Sequence, residues 1–139
     1  MRLVVDASIV IKWYVQETLS AEAFRFLDAR FELIVPDLLW SEFGNVLWKK
    51  RLRGDLTAKA AHQIVGELKR VPIRTEPVAP LLEMALDIAV RISRTVYDSA
   101  YLALAERLRC QVVTADEKLY NSVQGDGIAV HVLWVGSEP

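Results

Sequence analysis

RLVVDASIVIKW, residues 2–13, decides the fold. Leu3-Val4-Val5 is an unbroken apolar run, the pattern of a central strand covered on both faces in a parallel sheet. It ends on Asp6, and residues 8–13 then read as a short helix. The same form returns near the other end of the chain. Val112-Val113-Thr114-Ala115 runs into Asp116, and a short helix is expected at 117–123. Further strands are expected at 32–35 and 73–78. Helices are expected at 20–30, from Pro36 to 53, from a Thr57 cap to 70, at 80–91 and at 96–108. A final strand at 128–134 follows a turn made by Gly125 and Gly127. Strands alternating with helices predict an α/β fold: a single domain with a mainly parallel sheet and helices on both faces. Residues 1–135 are expected to form that domain, and 136–139 to fray.

The bulk composition supports an ordered chain. The 139 residues are 53% hydrophobic and 25% charged, with a net charge of −1. That excludes a disordered segment and a strongly basic nucleic-acid binder. Positive charge is bunched locally at Lys49-Lys50-Arg51 with Arg53, Lys69-Arg70, Arg91 with Arg94, and Arg107 with Arg109; each cluster by itself reads as a solvated helix face. The single cysteine, Cys110, excludes an intramolecular disulfide, fits a reducing compartment and reads as a small core residue. There is no signal-peptide layout, and no apolar run approaches the roughly 18 residues of a membrane helix. A cytoplasmic location is expected, with no membrane partner.

Four carboxylates stand out against this background. Asp6 and Asp116 end apolar strands, and in an open α/β sheet ligands bind beyond the carboxyl ends of the strands. Glu42 lies between Leu38 and Val46, beside the apolar row of Leu39, Phe43 and Leu47. Asp98 is followed by Tyr101 and Leu102 at i+3 and i+4. Each acid alone is compatible with a helix cap or a partly solvated side chain, and Asp98 sits in a first turn where acids are at home. Burying carboxylates costs several kcal/mol unless something positive compensates them. Four converging on one crevice would call for a divalent cation.

Oxygen-only ligands suit Mg²⁺ or Mn²⁺, whereas zinc would recruit His or Cys. His62 and His131 read as ordinary helix-surface and strand residues. One or two hard cations can activate water and stabilise the leaving oxygen of a phosphodiester. Ser8 and Thr114, each two residues from an acid, can orient a carboxylate or a metal-held water; a helix cap and a plain strand hydroxyl are equally open readings.

Four segments, VVDASIVIKWYVQE (4–17), VPDLLWSEFGNVL (35–47), TVYDSAYLALAERL (95–108) and VVTADEKLY (112–120), resemble in order the motifs of PIN domains. The nearest likeness is to the VapC-type toxins of toxin–antitoxin pairs. The resemblance implies a parallel sheet of order 3-2-1-4-5, with Asp6, Glu42, Asp98 and Asp116 as the catalytic and metal-binding acids. It implies a Mg²⁺- or Mn²⁺-dependent endoribonuclease acting on RNA, a cognate antitoxin of the VapB type whose tail lies across the site, and a homodimer. Glu117 or Asn121 would match a further, variable family position.

Two other acid-based α/β folds fit poorly. A haloacid-dehalogenase-like phosphotransferase wants a second Asp two residues after the first, where this chain has Ser8. A response-regulator receiver wants an acidic pair near Asp6, but Ala7 and Ser8 follow it. The remaining alternative is a non-catalytic PIN-like module that binds RNA or protein through Trp13, Trp40, Trp48 and Trp134. The large apolar residues Phe24, Phe26, Leu38, Leu39, Trp40, Phe43, Leu47 and Trp48 exceed the needs of one thin layer and predict a dimer contact.

Overall fold

The computed structural model describes all 139 residues. Strands β1 (Arg2–Val5), β2 (Glu32–Pro36), β3 (Ile73–Glu76), β4 (Gln111–Thr114) and β5 (Val132–Trp134) form one sheet in the order β3-β2-β1-β4-β5. Every pairing is parallel, with Val4 opposite Ile34 on one side and Val5 opposite Val113 on the other. Strand order therefore reverses between β1 and β4, and their carboxyl ends flank the crevice that such a reversal opens. Both strands are buried almost throughout, which is why they read as continuous Val and Leu runs.

Around the sheet lie α1 (Ala7–Val10), α2 (Ser20–Phe24), α3 (Leu38–Leu52), α4 (Ala58–Leu68), α5 (Leu82–Ile92), α6 (Val96–Leu108) and α7 (Glu117–Ser122). The innermost helix is α6, in which every residue from Ser99 to Ala105 is buried. It packs over β1, β2 and β4 and is covered from outside by α5. Its first turn is fixed by Thr95, whose hydroxyl accepts from the Asp98 N–H at 3.1 Å. Thr57 caps α4 in the same way, as expected from the sequence, accepting from the Ala60 N–H at 3.0 Å.

Several elements differ from the sequence expectation. The last strand begins at Val132, because residues 127–131 form a 3₁₀ turn that Asp126 caps through the Ile128 N–H at 2.9 Å. His131 therefore lies in that turn and not on the strand, its Nδ1 2.8 Å from the Cys110 carbonyl. The helix expected over 20–30 stops at Phe24 and tightens into a 3₁₀ turn, Arg25–Leu27. Pro36 belongs to β2, and α3 starts after Asp37. Residues 136–139 are exposed and lie outside any helix or strand; Arg25 donates to the carbonyls of Val135 and Ser137 and pairs with Glu138 at 3.0 Å.

The surplus apolar surface is also distributed differently from the expectation. Phe26, Leu39, Phe43 and Leu47 are core residues. Exposed large side chains include Phe24, Trp48 and, on α5, Met84 together with Leu82, Leu86 and Val90. The last three recur every four residues, while Ala85, Ile88 and Ile92 of the same helix face inward. One helix thus carries two apolar stripes. No helix is long and apolar enough to cross a membrane.

Candidate active site

Asp6 leaves β1 at the reversal point, its own N–H still donating to the Val113 carbonyl at 3.1 Å. Its side chain is only 6% exposed. Two hydroxyls converge on one of its oxygens: Ser8 Oγ donates to Asp6 Oδ2 at 2.6 Å and Thr114 Oγ1 at 2.9 Å. The same hydroxyl oxygens accept backbone N–H groups from the end of β4, Ala115 to Ser8 and Asp116 to Thr114, each at 3.0 Å. Ser8 and Thr114 therefore act as splints between the two strand ends. Burial nevertheless dominates and pushes the Asp6 carboxyl up to about 6, with the charges of Asp98 and Asp116 adding to the rise against the two hydroxyl bonds.

Glu42 projects from α3 and meets α6. Tyr101, fully buried, donates its hydroxyl proton to Glu42 Oε1 at 2.8 Å. Burial, with help from the Asp6 and Asp98 charges, pushes Glu42 up to about 7, although the Tyr101 bond opposes the rise. Asp98, one turn before Tyr101 on α6, is also raised by burial, partly offset by Arg94 and by its hydrogen bonds. Asp116 caps α7, its Oδ1 accepting from the Leu119 N–H at 3.1 Å.

Asp98 and Asp116 share a cation. Arg94 Nη2 lies 2.8 Å from Asp98 Oδ2 and 3.3 Å from Asp116 Oδ2, and Arg94 Nε donates to Asp98 Oδ2 at 3.1 Å. Asp6, Glu42, Asp98 and Asp116 thus form one electrostatic unit at the carboxyl end of the sheet, each coupled to at least one other. Elsewhere, His62 is exposed on α4, Cys110 is half-buried before β4, and Glu117 and Asn121 are exposed on α7.

Two residues of this assembly escaped the sequence reading. Tyr101 counted only as an apolar neighbour of Asp98, yet a phenol inside a helix buried on all sides needs a partner for its hydroxyl. Arg94 was grouped with Arg91 as surface charge; its i,i+4 relation to Asp98 was the available signal.

The donor set fits a hard divalent cation. It is all oxygen, it carries four potential negative charges, and at least one oxygen of each acid is already engaged by the protein. As the side chains stand, no group of three or more is closed up to grip an ion. Arg94 holds Asp98 and Asp116 instead, and rotation of carboxylates about their side-chain bonds is the adjustment a cation would require.

The PIN-domain family model matches residues 3–123. Over 121 residues the chain is 37% identical to "Ribonuclease VapC3" of Pyrobaculum aerophilum, covering 86% of this chain and 92% of that protein. Over 122 residues it is 34% identical to "Ribonuclease VapC9" of Mycobacterium tuberculosis, covering 88% and 91%. Among solved structures, PAE2754 from Pyrobaculum aerophilum superposes with a TM-score of 0.73 at 25% identity, over 97% of this chain and 84% of that one.

Proposed function

This chain belongs to the PIN-domain family, and from that premise we propose that it is a VapC-like toxin, an endoribonuclease dependent on Mg²⁺ or Mn²⁺. Its partners are an RNA substrate and a cognate antitoxin of the VapB type. The observation that carries this reading is the gathering of Asp6, Glu42, Asp98 and Asp116, drawn from two strand ends and two helices, into one partly buried, mutually interacting set at the carboxyl end of the sheet. Four carboxylates gathered around a single arginine, two of them raised well above their ordinary values by burial, are a cost to the fold, and a cation-dependent site gives that cost a purpose. A ribonuclease of 37% identity over most of both chains supports the same conclusion.

One or two divalent ions held by these acids would supply charge against the developing negative charge at phosphorus and favour ionisation of water. The rest falls to the protein. Ser8 and Thr114 lock Asp6 Oδ2, leaving Oδ1 available. Tyr101 locks Glu42 Oε1, and the first turn of α7 locks Asp116 Oδ1. Asp6, Glu42 and Asp116 are each anchored at one oxygen, so cation binding has fewer side-chain rotations left to fix than with free carboxylates. Ser8 and Thr114 are positioning residues.

The antitoxin reading has a surface to match. Leu47, Trp48 and Arg51 of α3 face Ala61, His62 and Val65 of α4 across an open groove of about 240 Å³. An apolar partner segment fits this floor. A homodimer is supported by the exposed Leu82, Leu86 and Val90 stripe.

The experiment is cleavage of single-stranded and looped RNA with Mn²⁺, with Mg²⁺ and with EDTA. Cleavage that EDTA abolishes, and that Asp6→Asn and Asp98→Asn each slow at least ~100-fold, is expected. A chain that binds RNA regardless of chelator and never cuts it is a binding module, and the reading falls.

A further inference from the structure

Arg94 occupies a position that the backbone builds for it. The preceding residue, Ser93, ends α5 in a left-handed conformation (φ 56°). The following residue, Thr95, caps α6. The chain between the two caps therefore aims Arg94 back over the first turn of α6, with its side chain about three-quarters buried at 24% exposure. There a single nitrogen, Nη2, serves Asp98 Oδ2 and Asp116 Oδ2 together. Since Asp116 Oδ1 is taken by the Leu119 N–H, Arg94 holds the oxygen of Asp116 that is free of capping duty.

On the metal-dependent reading above, we propose that Arg94 is a built-in counter-ion that competes with the divalent cation for Asp98 and Asp116, so that releasing Asp116 from Arg94 sets the affinity of the site for metal. A hard cation such as Mg²⁺ needs its oxygens at about 2.0–2.1 Å. Arg94 Nη2 already sits between the same two oxygens at 2.8 and 3.3 Å, and it too is positive. The two cations cannot share that space. The grip is also uneven. Asp98 receives two contacts and Asp116 one longer contact, so Asp116 is the carboxylate released first. An arginine suits this role because, beside the shared Nη2, it brings a second donor atom, Nε, to Asp98, which the single nitrogen of a lysine ammonium lacks.

The competition makes a prediction of unusual sign. Loss of a supporting residue normally weakens ligand binding, whereas loss of a competitor strengthens it. The test is calorimetric titration of Mn²⁺ into EDTA-stripped wild type, Arg94→Gln, Arg94→Lys and Arg94→Ala, without RNA. Melting curves establish that each variant is folded. Arg94→Gln is expected to bind Mn²⁺ about tenfold more tightly than wild type, equivalent to about 1.4 kcal/mol. Arg94→Lys should fall between them. In Arg94→Ala, tens of millimolar guanidinium chloride should weaken Mn²⁺ binding relative to NaCl of the same ionic strength, which rules out simple screening. Equal or weaker binding by Arg94→Gln, in a wild type that does bind Mn²⁺, overturns the competition and leaves the metal site standing. Absence of Mn²⁺ binding in every protein overturns the metal site and the competition together. Binding by the variants alone supports both.

Discussion

Tyr101 on α6 and Glu42 on α3 are joined by a 2.8 Å hydrogen bond that ties the two helices together beside the other acids. The bond favours the ionised form of Glu42 against the burial that pushes it up to about 7. Tyr101→Phe should therefore raise the Glu42 value further and lower its ionised fraction at neutral pH. Cleavage should slow about tenfold at pH 7, in keeping with the roughly 1.5–3 kcal/mol of a hydrogen bond to a charged group, and recover in part at higher pH. The measurement is the pH–rate profile. An acid limb that does not move would show that Tyr101 only packs.

Asp6 and Glu42 predict an inverted acid response of the chelated protein. Their folded values, about 6 and about 7, lie above the ordinary 3.8 and 4.5. Between those limits the native state holds more protons than the unfolded chain, so stability is fullest below the unfolded values and is lost as pH rises through the folded ones. In EDTA, the melting temperature should rise as pH is lowered from about 8 to about 5. Asp6→Asn should flatten the part of the response near pH 6. A profile identical to wild type in that variant would show that Asp6 does not titrate there.

Neutralising different acids should have different consequences. Asp6 is buried with hydroxyl partners and no cation, so Asp6→Asn should stabilise the chelated protein, by an amount on the order of 3 kcal/mol at neutral pH. Asp98 is also raised by burial, but Arg94 offsets part of that cost, so Asp98→Asn should stabilise the chelated protein less than Asp6→Asn does. With Mn²⁺ at ~100 times its dissociation constant, wild type should gain about 2.7 kcal/mol, and both variants much less. Equal gains in all three proteins would put the ion elsewhere.

The sequence was most legible where one residue's burial could be read from its immediate neighbours. Leu3-Val4-Val5 and Val112-Val113 announce buried parallel strands because such strands have no wet face, and the acids ending them follow from the topology. Residues 128–134 misled for the same reason: Ile128, Val130 and Val132 read as a strand, but the Asp126 cap and Gly127 coil the first half into a turn. Helix α5 presents two apolar stripes, and periodicity alone does not say which is covered. Arg94 and Tyr101 were hidden because what matters about them is a partner across space.

The exposed stripe on α5 gives a simple prediction of assembly. Leu86→Glu sits at its centre, away from the four acids, and should convert a dimer to a monomer in light scattering at tens of micromolar. Trp48→Glu, on the α3–α4 groove, should leave the dimer intact. A wild type that is monomeric at that concentration, or a dimer that survives Leu86→Glu and dissociates with Trp48→Glu, would reject this face.

The complete burial of residues 99–105 in α6 divides the four-acid region into a stiff half and a pliant half. Amide hydrogens between Ser99 and Ala105 are shut in on every side, so they should exchange with solvent only when the whole domain opens. Asp98 and Tyr101 ride on that element. Asp116 heads a six-residue helix, α7, whose Glu117 and Lys118 are exposed. A piece that short can unravel and re-form while the rest of the domain stays folded. An ion that draws in Asp116 should therefore slow exchange over 116–122 and leave 99–105 unchanged. The cation would be caught by the loose lip of the crevice closing onto its fixed wall.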